Sequence, residues 1–145
     1  MNLQQANNLL EDHKSSCIIL KNNEIVFTSS NIGVKPLLLF LKEKINIGEY
    51  DQLVLIDKII GKAALLLAVK CKIQRIYTPI ISSLALDAAK HYNVKCQASK
   101  IVPYIINREG NGMCPIESSV VNILDLDEAL LNIELAINRL MNTYN

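Results

Sequence analysis

The chain has 145 residues, half of them hydrophobic and 20% charged, with 15 basic against 14 acidic side chains for a formal charge of +1. One domain is expected at this length; the aliphatic content excludes disorder, and only 5 Gly and 4 Pro exclude a collagen-like or low-complexity chain. A near-neutral charge with no block of one sign argues against recognition of a nucleic-acid polymer through its phosphates, and the densest apolar run, Ala63 to Val69, is too short to cross a membrane.

Leu3, Ala6, Leu9 and Leu10 recur at helical spacing, so residues 2 to 13 are expected to form an amphipathic helix. This segment is polar and Asn-rich and has no secretory h-region. The four cysteines, Cys17, Cys71, Cys96 and Cys114, contain no C-x-x-C, so free thiols in a reducing cytoplasm are expected. Cys17 to Leu20 and Ile25 to Phe27 flank Lys21-Asn22-Asn23-Glu24, and two Asn residues tolerate the positive φ of a tight hairpin. Pro36 suits the first turn of a helix over 34 to 46, with Gly48 as its terminator. A regular alternation follows: strand Leu53 to Ile56, helix Gly61 to Lys72, strand Arg75 to Thr78, helix Ser82 to His91, and a last short strand Val94 to Gln97. Strands alternating with helices in this way indicate an α/β fold with a parallel or mixed sheet and the hairpin as its antiparallel edge. Asp125 or Asp127 is expected to cap a last helix reaching about Met141, with Leu126, Leu130, Ile133, Ile137 and Leu140 on one face. The domain thus divides into an N-terminal helix (1–15), a core (16–100) and a C-terminal loop with helices (101–145).

The most informative stretch is Ile56-Asp57-Lys58-Ile59-Ile60-Gly61-Lys62-Ala63-Ala64, a strand end feeding a helix. Ligands sit at such places in open α/β sheets, and a helix N-terminus offers unpaired N–H groups to an anion. Gly61 would let an anion approach the backbone, with Lys58 and Lys62 adding charge; in the plainer reading Asp57 caps the helix and Gly61 allows close packing. The stretch is not a P-loop, because Ile56 stands where the first Gly is required and Ala63 where the hydroxyl is. Cys114, before Pro115 and three residues before Glu117, falls at a helix N-cap, where the dipole favours thiolate; Arg108 would help and Glu109 would oppose. The other three cysteines are expected in the core. His13 and His91 have no partner at metal-ligand spacing, so no metal site is expected. Lys35, a cation at a helix start, is locally unfavourable by roughly a few tenths of a kcal/mol, which hints at an anionic neighbour.

The α-β-β-α-β-α-β-α-β order resembles the cytidine-deaminase-like fold. Gly33-Val34-Lys35-Pro36, Asp57-Lys58-Ile59-Ile60-Gly61-Lys62-Ala63-Ala64, and Val102-Pro103-Tyr104-Ile105-Ile106-Asn107-Arg108 with Gly110-x-Gly112-Met113-Cys114-Pro115 resemble an uncharacterised bacterial and archaeal family of that superfamily, over about residues 16 to 135. The resemblance implies a three-layer α/β/α sandwich around a mixed five-stranded sheet, with two helix N-termini facing one pocket. Lys35, Asp57, Lys58, Gly61 and Lys62 would line that pocket, with the loop ending in Cys114 nearby. Zinc deaminases need a His or Cys two residues before a Glu at one helix start and P-C-x-x-C at the next. The corresponding stretches here, Asn31 to Pro36 and Asp57 to Lys62, contain no such set, so zinc-dependent deamination is not expected.

Three functions follow as expectations. The first is binding of a small anionic or nucleotide-like ligand, without cofactor, by Lys35, Lys58, Gly61, Lys62 and Arg108. The second is an enzyme with Cys114 as nucleophile and Asp57 or a lysine as acid or base. The third is a non-catalytic scaffold or regulatory subunit that offers the Leu126 to Leu140 face to a partner or a second copy.

Overall fold

The sheet grows outward from the N-terminal hairpin. In the computed structural model, which describes residues 1–43 and 46–144, β1 (Cys17–Lys21) and β2 (Glu24–Ser29) pair antiparallel through Asn22 and Asn23, at φ 50° and 69°. These are the left-handed values that Asn accepts more readily than most residues. β1 also pairs antiparallel with β3 (Leu53–Asp57), which sets Cys17 directly opposite Asp57. From there the sheet is parallel: β3 and the two-residue β4 (Ile59–Ile60) both pair with β5 (Arg75–Ser82), and β5 pairs with β6 (Lys95–Val102).

Among the described residues the sheet therefore has six strands, not the expected five. The extra one has a local cause. β3 and β4 continue one register along β5, interrupted at Asp57 and Lys58, across from Thr78 and Pro79. Pro79 has no N–H to give to the ladder. The Thr78 hydroxyl fills in by donating to the Ile80 carbonyl at 3.0 Å. The interruption turns one strand position into two strands, and the cap of the following α3 falls to Gly61 beyond β4, not to Asp57 as the plainer reading expected.

Six helices complete the described chain: α1 (Leu3–Asp12), α2 (Lys35–Lys42), α3 (Lys62–Lys70), α4 (Ser83–Tyr92), α5 (Pro115–Ser118) and α6 (Leu126–Tyr144). Strand side chains alternate between two apolar clusters, as period-2 geometry demands. Ile18, Leu20, Ile56 and Tyr77 pack on Ala6 and Leu10 of α1; Cys17, Ile19, Leu55 and Ile76 pack on the opposite face with α2, α3 and α4. Both faces of β1, β3 and β5 are thus largely buried, which accounts for their few polar side chains, while β2 and β6 are mostly exposed or half-buried. α6 carries Ala129 and Ile133 into the second cluster, with Leu126, Leu130 and Ile137 packed against it, so most of its apolar face is used within the chain. Its cap is Asp125, whose carboxylate accepts the Glu128 N–H at 2.8 Å.

Several boundaries differ from expectation. α2 ends at Lys42, and residues 44 and 45 of the helix expected over 34–46 lie outside the described residues. Gly48 does not terminate it; Gly48 donates to the Asp51 carboxylate at 2.7 Å in a separate turn. β5 and β6 run four and five residues past the expected ends, because each keeps its ladder beyond the interruption at Pro79.

Candidate functional site

Four segments converge at the ends of β3 and β4. Gly33, at φ 79°, turns the chain into α2; such a φ is easiest for Gly. The strand interruption presents Asp57, Lys58 and Ile59. Gly61 starts α3. The C-terminal loop comes back over this end as a tight ribbon: Ile106 bridges Met113, the Cys114 N–H donates to the Ile105 carbonyl at 2.7 Å, and the Asn107 and Asn111 side chains pair at 2.9 Å.

These segments enclose a cavity of about 370 Å³. Its walls are mainly apolar, with Ile32, Val34, Ala64, Ile105 and Ile116 among them, and Asp57, Lys58, Gly61, Arg108 and Cys114 also line it. A second cavity of about 370 Å³ adjoins it, sharing Arg108 and Cys114 and adding Lys35. The loop thus brings together six of the seven residues expected from sequence. Lys62 is the exception. Its side chain is buried outside both cavities, and its Nζ donates to the Val121 carbonyl at 2.8 Å. Burial pulls the Lys62 pKa down, while Asp87 and Glu117 pull the other way.

The start of α3 departs most from expectation, because its anion is already present. Glu117 of α5 is 1% exposed, and its Oε2 accepts the Lys62 N–H at 2.6 Å and the Ser82 hydroxyl at 2.7 Å; Oε1 accepts the Ile105 N–H. Ser82 in turn caps α4 by accepting the Ala85 N–H at 3.1 Å. One carboxylate therefore joins two helix starts to the C-terminal loop. Gly61 serves this internal contact: a Cβ there would lie 2.7 Å from Glu117 Oε2 and 2.9 Å from the Ile105 side chain. Gly61 has an extended backbone, so space and not φ requires the glycine. Glu117 escaped the sequence reading because a Glu at the third position of a short helix normally caps its own turn. The available signal was a Gly with no capping side chain at the start of an Ala- and Leu-rich helix.

Asp57 is nearly as buried, at 3% exposure, but differently served. Its Oδ2 has no partner among the described residues. Burial pushes the carboxyl up to about 8, against the opposing pull of the nearby Ile59 and Lys58 backbone N–H groups. Across the ladder the Cys17 thiol is pushed up too, by burial and then by the charge of Asp57.

Cys114 is the N-cap of α5 and half-buried against the cavity, with no side-chain hydrogen bond at the cap. The helix it caps has only four residues. Cys17 and Cys71 are buried in the core, and Cys96 packs against it. Among the described residues no three His, Cys, Asp or Glu side chains form a metal-ligand group, and no helix is long and apolar enough to cross a membrane.

Comparison with known proteins fits this architecture. The model of a family described as a domain of unknown function, DUF1893 (TM1506), matches residues 5–136. The crystal structure of a DUF1893 family protein (TM1506) from Thermotoga maritima is similar over 94% of this chain and 88% of that one, with a TM-score of 0.78 and 26% sequence identity. No curated protein matches the chain.

Proposed function

The chain belongs to the DUF1893 family, a domain of unknown function, and from that premise we propose that it binds a small anionic, nucleotide-like ligand in the cavity around Asp57. One observation carries this reading: Asp57, whose buried Oδ2 has no partner among the described residues, lines a cavity large enough for a small molecule. A buried polar atom left unpaired costs about 1–3 kcal/mol, so a ligand that pairs it gains that amount. The setting has the composition of small-molecule sites, which combine apolar walls with a few converging polar groups. Lys58 and Arg108 on the cavity, and Lys35 in the adjoining one, supply the positive charge for an anionic group.

We read the fold as deaminase-like, on the strength of the antiparallel hairpin followed by parallel strands and of helices on both sheet faces. Zinc chemistry does not accompany that reading. Among the described residues the helix starts at Lys35 and Lys62 have no metal-ligand set beside them, and the buried Glu117 is held by three protein donors.

The test is a thermal-shift screen of nucleoside 5′-monophosphates, nucleosides and phosphorylated sugars on the wild-type chain and on Lys58→Ala. Phosphorylated probes should raise the Tm of the wild type and lose most of that effect in the variant; a ligand at 100 times its Kd adds about 2.7 kcal/mol of stability. No shift with any probe would overturn the reading. A Cys114-dependent enzyme is the second reading, favoured by Cys114 and Asp57 lining one cavity. It requires Cys114 to alkylate faster than a model thiol between pH 6 and 9.

A further inference from the structure

The two oxygens of Asp57 are not equivalent. Oδ2 is buried and has no hydrogen-bond partner among the described residues. Burial favours the neutral form of a carboxyl, and an oxygen that accepts no other donor is the one free to carry the proton. A carboxylic acid differs in kind from a carboxylate, because it has a hydrogen to donate. An apolar site can hold an acid in that form for the purpose of donating.

Resting on the binding reading above, we infer that Asp57 offers its Oδ2–H to the ligand, so that the cavity takes an anion whose inner end carries an uncharged hydrogen-bond acceptor, a carbonyl oxygen or an unprotonated ring nitrogen. The anionic end then lies toward Lys58, which follows Asp57 in the chain and is exposed, and toward Arg108 on the loop. A second anion at the inner end would meet apolar walls and be rejected by the cost of its own desolvation.

The other groups around Asp57 are identifiable. From β1 comes Cys17, whose thiol burial keeps neutral; from β5 come Thr78 and Pro79, which bring no charge. The start of α2 adds Lys35, and the C-terminal loop adds Arg108 and Cys114. Lys62 on α3 is turned toward Val121, and the Glu117 carboxylate is taken up by its three donors.

Asp57→Asn separates Asp57 from all of these, because its amide offers a donor that does not titrate. The experiment is calorimetric titration of the four common nucleoside 5′-monophosphates, and of inorganic phosphate, into wild type and Asp57→Asn at pH 6.5 and 9.0. With the Asp57 midpoint at about 8, the affinity of wild type for a binding nucleotide should fall about tenfold over that range relative to Asp57→Asn, which shares the titration of the phosphate itself. Inorganic phosphate, lacking the inner acceptor, should show no such difference. In the free wild-type protein the Asp57 carboxyl carbon should titrate near 8 by NMR and shift upward when a nucleotide is bound. If a nucleotide binds and wild type and variant share the same pH profile, or if the Asp57 midpoint shifts downward, this inference falls while the binding reading stands. If no nucleotide binds, both fall.

Discussion

Two carboxylates lie at the same end of the sheet, both almost out of water, and they have opposite circumstances. Glu117 receives donors on both oxygens, from the Lys62 N–H, the Ser82 hydroxyl and the Ile105 N–H. Asp57 lines a cavity and keeps one buried oxygen without a partner among the described residues. Burial alone thus does not distinguish a structural acid from one available to a ligand; the count of donors per oxygen does. A fully served carboxylate holds elements together and has nothing left to offer. The partly served one is a local cost that the fold tolerates and a ligand can relieve.

Substitutions can break this contrast, and the largest effect is expected at Glu117. Glu117→Ala strands three donors in the interior, which should cost on the order of 3–5 kcal/mol, a large share of the stability of a domain this size. Urea denaturation checks it, and a loss below about 1 kcal/mol would show that water serves those donors instead. The Asp57 contribution is next and depends on pH. Its folded pKa is raised, so the stability it contributes is fully present below the unfolded value of about 4 and is lost as pH rises toward about 8. Wild-type stability should therefore decline between pH 5 and 8, by a few kcal/mol at most, and Asp57→Asn should flatten that slope; parallel urea curves at the two pH values for wild type and variant would contradict the assignment. The smallest effect is at Gly61. Gly61→Ala pushes a methyl group against Glu117 Oε2 and Ile105 and should cost about 1–3 kcal/mol, part of it recovered in the Gly61→Ala, Glu117→Ala pair because the two changes share one contact. Strict additivity of the two unfolding free energies would separate Gly61 from Glu117.

Local chemistry made much of this fold legible in the sequence. Two consecutive Asn residues declared the hairpin turn, the pair Asp125 and Asp127 marked the start of the last helix, where Asp125 takes the cap, and the apolar period separated strands from helices. The site was legible as a place: a strand end running into a helix at Asp57, with Cys114 closing a loop nearby. Less legible was what depends on distant partners. The division of the third strand position comes from Pro79 in the neighbouring strand, 20 or more residues away in sequence. Gly61 was read as an open door for an external anion, whereas Glu117, 55 residues beyond Lys62, fills the space. Lys62 itself was assigned by its position at a helix start, but a long flexible side chain can turn elsewhere, and Val121 captures it.

The Asn107 to Cys114 ribbon has a kinetic consequence. Its one bridge and its paired Asn side chains hold it together locally, while its tie to the rest of the protein at Ile105 runs through the Glu117 carboxylate. A segment closed by its own short-range bonds can move as a unit when a long-range tie of this kind lets go. The amide hydrogens of Ile105 and Lys62 should then exchange with solvent together and faster than those of β3 and β5, and the rate of that shared opening sets how quickly a molecule can enter the cavity beneath.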